Sequence, residues 1–224
     1  MNVAQVEIQH YRSVRRMVMP LRRLNVFIGE NGVGKTNLYR GLELIQAAAA
    51  GTLTRELAAE GGMASATWSG PRKRNKPVRI GLGVSLTPPD DRDTGEYEYS
   101  ASVGLVQQYE VEIGLRTPVG AAFLLEPQIK EERLTFHGAR RREILLDRKG
   151  STGHARDEEG VRHDLKEQLL ASETALAALQ DPSRYPELHH VRRTRLGWRF
   201  YHSFRIDRDS ALRRPCLAVT SPTL

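Results

Sequence analysis

Residues 3 to 9 set Ala4, Val6 and Ile8 against Val3, Gln5 and Glu7, the two-residue period of a strand with one largely apolar face. His10 to Val14 turns the chain, and Arg16 to Leu21 form a second short strand stopped by Pro20 and the basic pair Arg22-Arg23. A hairpin is therefore predicted ahead of the next apolar run. That run, Leu24, Val26, Phe27 and Ile28, reads as a buried strand, after which Leu38, Leu42 and Ile45 recur at helical spacing through Ala50. Thr52 to Glu60 predicts a second short helix, ended by Gly61-Gly62. Residues 78 to 86, 96 to 105, 109 to 116 and 122 to 136 cluster Val, Ile, Leu, Tyr and Phe between Gly, Pro and Asp turns, as consecutive antiparallel strands do. Ser151 to Gly160 is polar and reads as a loop. Val161 to Gln180 favours a helix with Leu165, Leu169, Leu176 and Leu179 on or near one face, closed by Asp181-Pro182. Arg192, Arg193 and Arg195 are expected on a solvated helix face, and Trp198 to Phe204 as a strand.

The junction between the buried strand and the first long helix carries the chemistry. Gly29, Gly34, Lys35 and Thr36 complete the pattern G-x-x-x-x-G-K-[ST], with Glu30, Asn31, Gly32 and Val33 inside the loop and Asn37 after it. Glycines let successive backbone N–H groups point into one concavity that a Cβ would obstruct, and the following helix adds the positive end of its dipole. A polyphosphate fits there. Lys35 is expected to reach the β- and γ-phosphates of ATP as a mobile charge, and the Thr36 hydroxyl to give one oxygen to Mg²⁺. The plain alternative is a glycine turn with a surface lysine.

Composition narrows the setting. A chain of 224 residues with 39% hydrophobic content has enough apolar side chain for a real core. Its single cysteine, Cys216, excludes a disulfide framework. No apolar run approaches the ~18 residues of a membrane span, and no charged n-region precedes an apolar h-region, so a cytoplasmic protein with no membrane partner is expected. The net charge of +7 suits non-specific contact with DNA. Yet 28 of the 34 basic residues are arginine, as a GC-rich coding sequence would give without any such selection.

Strand, aromatic-Arg-Ser turn at Tyr11-Arg12-Ser13, second strand, then the run Leu24 to Asn37: this order resembles the N-terminal half of RecF/SMC-type ATPases, the ABC-like heads of DNA repair and chromosome maintenance proteins. It is similar in particular to the compact "predicted ATPase" group among AAA and ABC ATPases. Asp181 to Leu188 and Gly197 to His202 also look like that group. The resemblance implies an α/β P-loop NTPase with a mixed sheet and an antiparallel β lobe. Residues 1–70 would be the P-loop core, 71–150 the β lobe, and 151–224 a helical segment, strand and tail within one structural domain. It also implies ATP hydrolysis with Mg²⁺, Arg12 near the nucleotide, and a homodimer closed around the nucleotide in the complete protein.

Complete heads of that kind carry a signature loop, a Walker B run of four apolar residues ending in Asp-Glu, and a switch histidine, and none is visible in the sequence. The sequence accordingly reads as an N-terminal portion or a truncated open reading frame, expected to bind ATP but to turn it over at or near background. Glu143 to Asp147 outlines a Walker B strand, but only three apolar residues precede Asp147, and the segment reads as a continuation of the meander. Glu126 at the end of Phe123-Leu124-Leu125 is a similar decoy. His189, His190 and His202 lack a carboxylate or cysteine at ligand spacing, so no metal centre is expected from them. Two other functions remain open: a module that holds nucleotide or nucleic acid without turnover, and a phosphotransferase, which the leading hairpin disfavours.

Overall fold

The computed structural model describes residues 2–71, 79–87, 106–115, 126–138, 142–166 and 169–201. Strands β1 (Asn2–Tyr11) and β2 (Val14–Pro20) form the expected hairpin around Arg12-Ser13. They open an eight-stranded sheet with β3 (Arg79–Thr87), β4 (Val106–Leu115), β5 (Pro127–His137), β6 (Arg142–Lys149), β7 (Thr152–Arg156) and β8 (Arg162–Asp164). Its order is β2-β1-β3-β4-β5-β6-β7-β8, and every neighbouring pair is antiparallel.

Alternation decides which face is buried. Val6 and Ile8, Ile80, Leu82, Val84 and Leu86, Tyr109, Val111 and Ile113, and Leu134 turn to the core. Glu7, Gln9, Gly81, Glu110, Glu112, Arg133 and Asp147 line a shallow cavity of about 190 Å³ on the opposite, open face. Helix α1 (Lys35–Ala50) packs on β1 and β3, and α2 (Leu53–Ala59) on β5; α3 (Gly62–Ala66) follows directly after Gly61. Helices α4 (Ala175–Ala178) and α5 (Pro186–Leu196) pack against α1. Gly41 makes the α1–β1 approach feasible, since a Cβ there would fall 2.2 Å from Cδ1 of the fully buried Ile8. Three of the C-terminal carbonyls of α1 are taken: Thr52 N donates to Ala47 O, the Thr174 hydroxyl to Ala48 O and Arg192 Nε to Ala49 O.

Several expectations change in the structure. The run 24–28 is not a strand of the sheet: after Leu21 N donates to Ala4 O the chain leaves the ladder. Leu24, Val26, Phe27 and Ile28 then lie 81, 73, 47 and 92% exposed. A segment apolar on both faces suits a strand flanked on both sides, and none of the described strands pairs with it. The polar stretch 151–160 is a hairpin arm, because Asp157 closes the turn by accepting from Val161 N at 2.8 Å and from His163 Nε2 at 2.5 Å. Only Ala155 of β7 is buried, so apolar periodicity had nothing to show there.

The helix expected over 161–180 shrinks to four residues. Leu165 N instead extends the sheet by donating to Gly153 O, and Ile129 N takes Ala171 O. The buried Arg148 donates to Leu170 O and Glu173 O, claiming carbonyls a helix would use. Beside it the buried Glu132 accepts from Ala175 N (2.6 Å), Leu176 N (3.0 Å) and the Tyr109 hydroxyl (3.0 Å). Burial pushes the Glu132 carboxyl up and the Arg148 guanidinium down, each held against that trend by the other.

Arg195 is buried, not solvated, with its guanidinium 5.0 Å from the Tyr109 ring centroid. Residues 198–201 form no strand; Phe200 packs edge-on to Tyr39 at 5.4 Å, and Gln46 Nε2 donates to Trp198 O. Strand 96–105, residues 202–204 and Cys216 lie outside the described residues.

Candidate functional site

Between the exposed run 24–28 and α1 the chain makes one tight turn. Gly32 and Gly34 adopt φ of +89° and +100°, left-handed conformations that side-chain-bearing residues avoid. Gly34 is the N-cap of α1 and offers no side-chain cap, and the first turn of α1 holds no acidic residue. Asn37 N and Leu38 N donate to Gly34 O, and the N–H groups of Lys35 and Thr36, which take no acceptor among the described residues, are thus left to an external one at the positive end of a 16-residue helix.

Lys35 folds back over the loop, its ammonium donating to Gly29 O and to Glu30 O (2.7 Å). The lysine cation is thus held by two backbone oxygens of the loop itself. Thr36 is exposed, and Gly29 to Val33 are exposed throughout. Val33 Cγ2 would lie 3.1 Å from a Cβ on Gly29, so the two ends of the loop are in close contact.

Arg12 is far in sequence but joined to this loop. Asn37 Nδ2 donates to Ser13 Oγ at 2.7 Å, and Ser13 Oγ lies 2.9 Å from where a Gly34 Cβ would stand. The β1–β2 turn therefore rests on the loop. It does so under backbone strain, with His10 at φ 52° and Arg12 at φ 48°. Two bonds fix that conformation: Arg12 N donates to Ala66 O and Trp68 N to His10 O, both at 2.8 Å.

Glu60, following α2, gathers the side chains of the turn. It accepts from the Tyr11 hydroxyl on both oxygens (2.8 and 2.9 Å) and from Arg12 Nε (3.1 Å) and Nη2 (2.9 Å). Arg40 Nε lies 3.7 Å away and is itself paired with Glu43. Burial, together with the carboxylate of Glu60, pushes the Tyr11 phenol well above its usual range. Neither Ser13 nor Glu60 was marked as a site residue from the sequence. Their roles depend on contacts across 24 and 48 positions, which carry no local signal.

Asp147 is elsewhere. It stands on the open face of β6 and accepts from Arg133 Nη2 at 3.0 Å, opposite His154 in the ladder. Glu126 is exposed at the start of β5. Among the described residues no group of three or more His, Cys, Asp or Glu could hold a metal, and no helix is long and apolar enough to cross a membrane.

The family described as "AAA domain, putative AbiEii toxin, Type IV TA system" matches residues 24–218. The chain belongs to this AAA-domain family. Among curated proteins none matches it. One solved structure, of an SMC ATPase described through ATP-driven dimerization and DNA-stimulated activation, aligns at 16% identity with a TM-score of 0.36. The alignment spans 64% of this chain and 72% of the other.

An AAA domain is an ATPase-type module, and the turn over residues 29–36 fits a polyphosphate on its own geometry. Two left-handed glycines, an uncapped helix start free of acidic residues and one lysine offer donors and positive charge, with no carboxylate of the first helical turn opposing them. Magnesium fits only as a companion of the phosphates, with the exposed Thr36 hydroxyl as the protein's oxygen.

Proposed function

We propose that this AAA domain is the nucleotide-binding lobe of a RecF/SMC-like ATPase. ATP and Mg²⁺ would be held by Gly29, Glu30, Asn31, Gly32, Val33, Gly34, Lys35, Thr36 and Asn37, with Arg12 at the edge. The observation that carries the proposal is the acid-free, uncapped start of α1 behind two left-handed glycines, with the Lys35 ammonium already over the loop. Backbone N–H groups would take the phosphate oxygens, Lys35 would move from the loop carbonyls to the β/γ-phosphates, and Thr36 would give one oxygen to the metal. Bound Mg²⁺ would supply charge neutralisation on the leaving phosphates.

Hydrolysis needs a positioned water and a carboxylate beyond the loop. Among the described carboxylates Asp147 is spent on Arg133 on the open face, Glu132 on the helix-side network and Glu60 on Tyr11 and Arg12. The chain by itself is therefore expected to bind Mg-ATP and to release phosphate only at background. In this reading a second polypeptide segment would bring the catalytic carboxylate, and with it strands to flank 24–28. Coupling of turnover to DNA repair or chromosome maintenance, closure into a homodimer around the nucleotide, and salt-sensitive, non-specific DNA contact are the finer parts of the proposal.

Titration calorimetry with Mg-ATP tests it. The unmodified chain should bind and Lys35→Ala should lose most of that binding, because the triphosphate loses its compensating charge. Equal affinity in both would overturn the site. Robust phosphate release that vanishes in Lys35→Ala would overturn the turnover half of the proposal and require a carboxylate within this chain.

A further inference from the structure

A buried acid standing close to a polyphosphate site is electrostatically unfavourable unless it does something for that site. Glu60 is such an acid: its side chain is 6% exposed, and it is bonded to the residue adjoining Ser13, which rests on Gly34. Removing a carboxylate from water is costly without paired donors, and Glu60 has them in Tyr11 and Arg12, with Arg40 close by.

How Arg12 is held is the informative part. A guanidinium presents five N–H donors on a planar fork. Glu60 takes the edge made by Nε and Nη2, both on one carboxylate oxygen, and Nη1 enters no hydrogen bond among the described residues. The side chain remains 36% exposed. One edge is thus fixed and the other is left to a second acceptor, while the strained φ of His10 and Arg12, pinned by Ala66 O and Trp68 N, fixes where the turn sits. Strain of this kind persists where the surroundings over-determine it, commonly at ligand clamps.

We propose that Glu60 is a positioning residue for the nucleotide: it locks one edge of the Arg12 guanidinium so that the Nη1 edge is preorganised for a phosphate oxygen of a nucleoside triphosphate in the 29–36 loop. The inference rests on the nucleotide reading of that loop. It adds that α2 and α3, through Glu60 and Ala66, are part of the binding apparatus although neither touches the loop motif in sequence. A side chain already immobilised gives up less rotamer freedom on binding than a free arginine would.

The test is a double-mutant cycle on the full chain, read by Mg-ATP titration, with thermal melting to confirm folding. Arg12→Ala should weaken Mg-ATP about ten-fold, the scale of one charge-assisted hydrogen bond. Glu60→Ala should weaken it about as much, and the double variant no further, because Glu60 acts only through Arg12. Glu60→Gln keeps an acceptor on the guanidinium edge and should stay within about three-fold of the unmodified chain, and should have no effect in the Arg12→Ala background.

If Glu60→Ala does not fold, the Glu60→Gln arms decide alone. A Glu60→Gln loss that persists without Arg12, or additive losses in the alanine cycle, would show a merely structural role and overturn the inference. Unchanged affinity in Arg12→Ala beside lost affinity in Lys35→Ala would overturn it too while leaving the nucleotide site standing. No binding by the unmodified chain would instead overturn the nucleotide site itself, and the inference with it.

Discussion

Asn37 donates to Ser13 across 2.7 Å, and through that one bond the β1–β2 turn is seated on the third residue of α1. Asn37 serves two purposes at this point. It ties the sheet to the helix, and it keeps the helix start neutral, so that the positive end of the dipole is left for a ligand.

Asn37→Asp separates the two purposes. An aspartate oxygen still accepts from the Ser13 hydroxyl, and a carboxylate in the first turn stabilises a helix by about 0.3–1 kcal/mol. The same charge opposes a polyphosphate, so Mg-ATP affinity should fall about ten-fold while the urea midpoint rises. Stability and affinity moving in opposite directions is the expected outcome. A parallel fall in both would mean that the neutral amide matters only for packing.

The run Leu24 to Ile28 gives a prediction about stability. Ile28 is 92% and Val26 73% exposed, so neither contributes to the core. Ile28→Thr and Val26→Thr should each leave unfolding free energy within about 0.5 kcal/mol and reduce self-association of the isolated chain. Ile80→Thr in the fully buried part of β3 should by contrast cost roughly 2–4 kcal/mol, from lost apolar burial plus a buried hydroxyl. A large loss from Ile28→Thr in chemical denaturation would place the run inside the folded core.

What could be read from the sequence follows from how local each signal is. The hairpin, α1 and the meander declare themselves because Val6, Ile8, Leu44, Ile45 and Ile80 to Leu86 repeat with the period of their own element. The loop 29–36 is legible for the same reason, its glycines and lysine being contiguous. The run 24–28 has the pattern of a buried strand, but pattern describes what a segment would satisfy and not whether its neighbours are present. The hairpin at 152–164 rests on Asp157 and Gly160 turn bonds with one apolar residue facing inward, too little for periodicity to register. The lost helix at 161–180 and the role of Glu60 share a cause: both were decided by partners, Arg148 for one and Tyr11 and Arg12 for the other, that lie far away in the chain.

Arg195 shows the same limit and yields the last prediction. From sequence it belongs with Arg192 and Arg193 on a wet face, yet it is fully buried between α5 and Tyr109. Nη1 donates to Val191 O, while Nε and Nη2 find no acceptor among the described residues. Desolvation pushes its pKa down from the usual arginine range to about 10, against a smaller opposing pull from Tyr109. A base whose pKa is depressed on folding destabilises the fold wherever it is charged in both states, which here means below about pH 10. The unfolded chain binds the extra proton only above about pH 10 and below the ordinary arginine pKa, so the cost is relieved across that window as pH rises. Replacing an unsatisfied buried charge by an apolar side chain of similar length is commonly neutral or stabilising by about 1–4 kcal/mol. The cation–π contact with Tyr109 returns up to about 2 kcal/mol of that. Arg195→Met is therefore expected to raise the urea midpoint by the equivalent of up to about 2 kcal/mol. That advantage should be constant from pH 6 to 9 and shrink above pH 10. A loss of stability at pH 7 would mean that the guanidinium is satisfied in solution by a partner such as water, and that the charge holds α5 to the sheet.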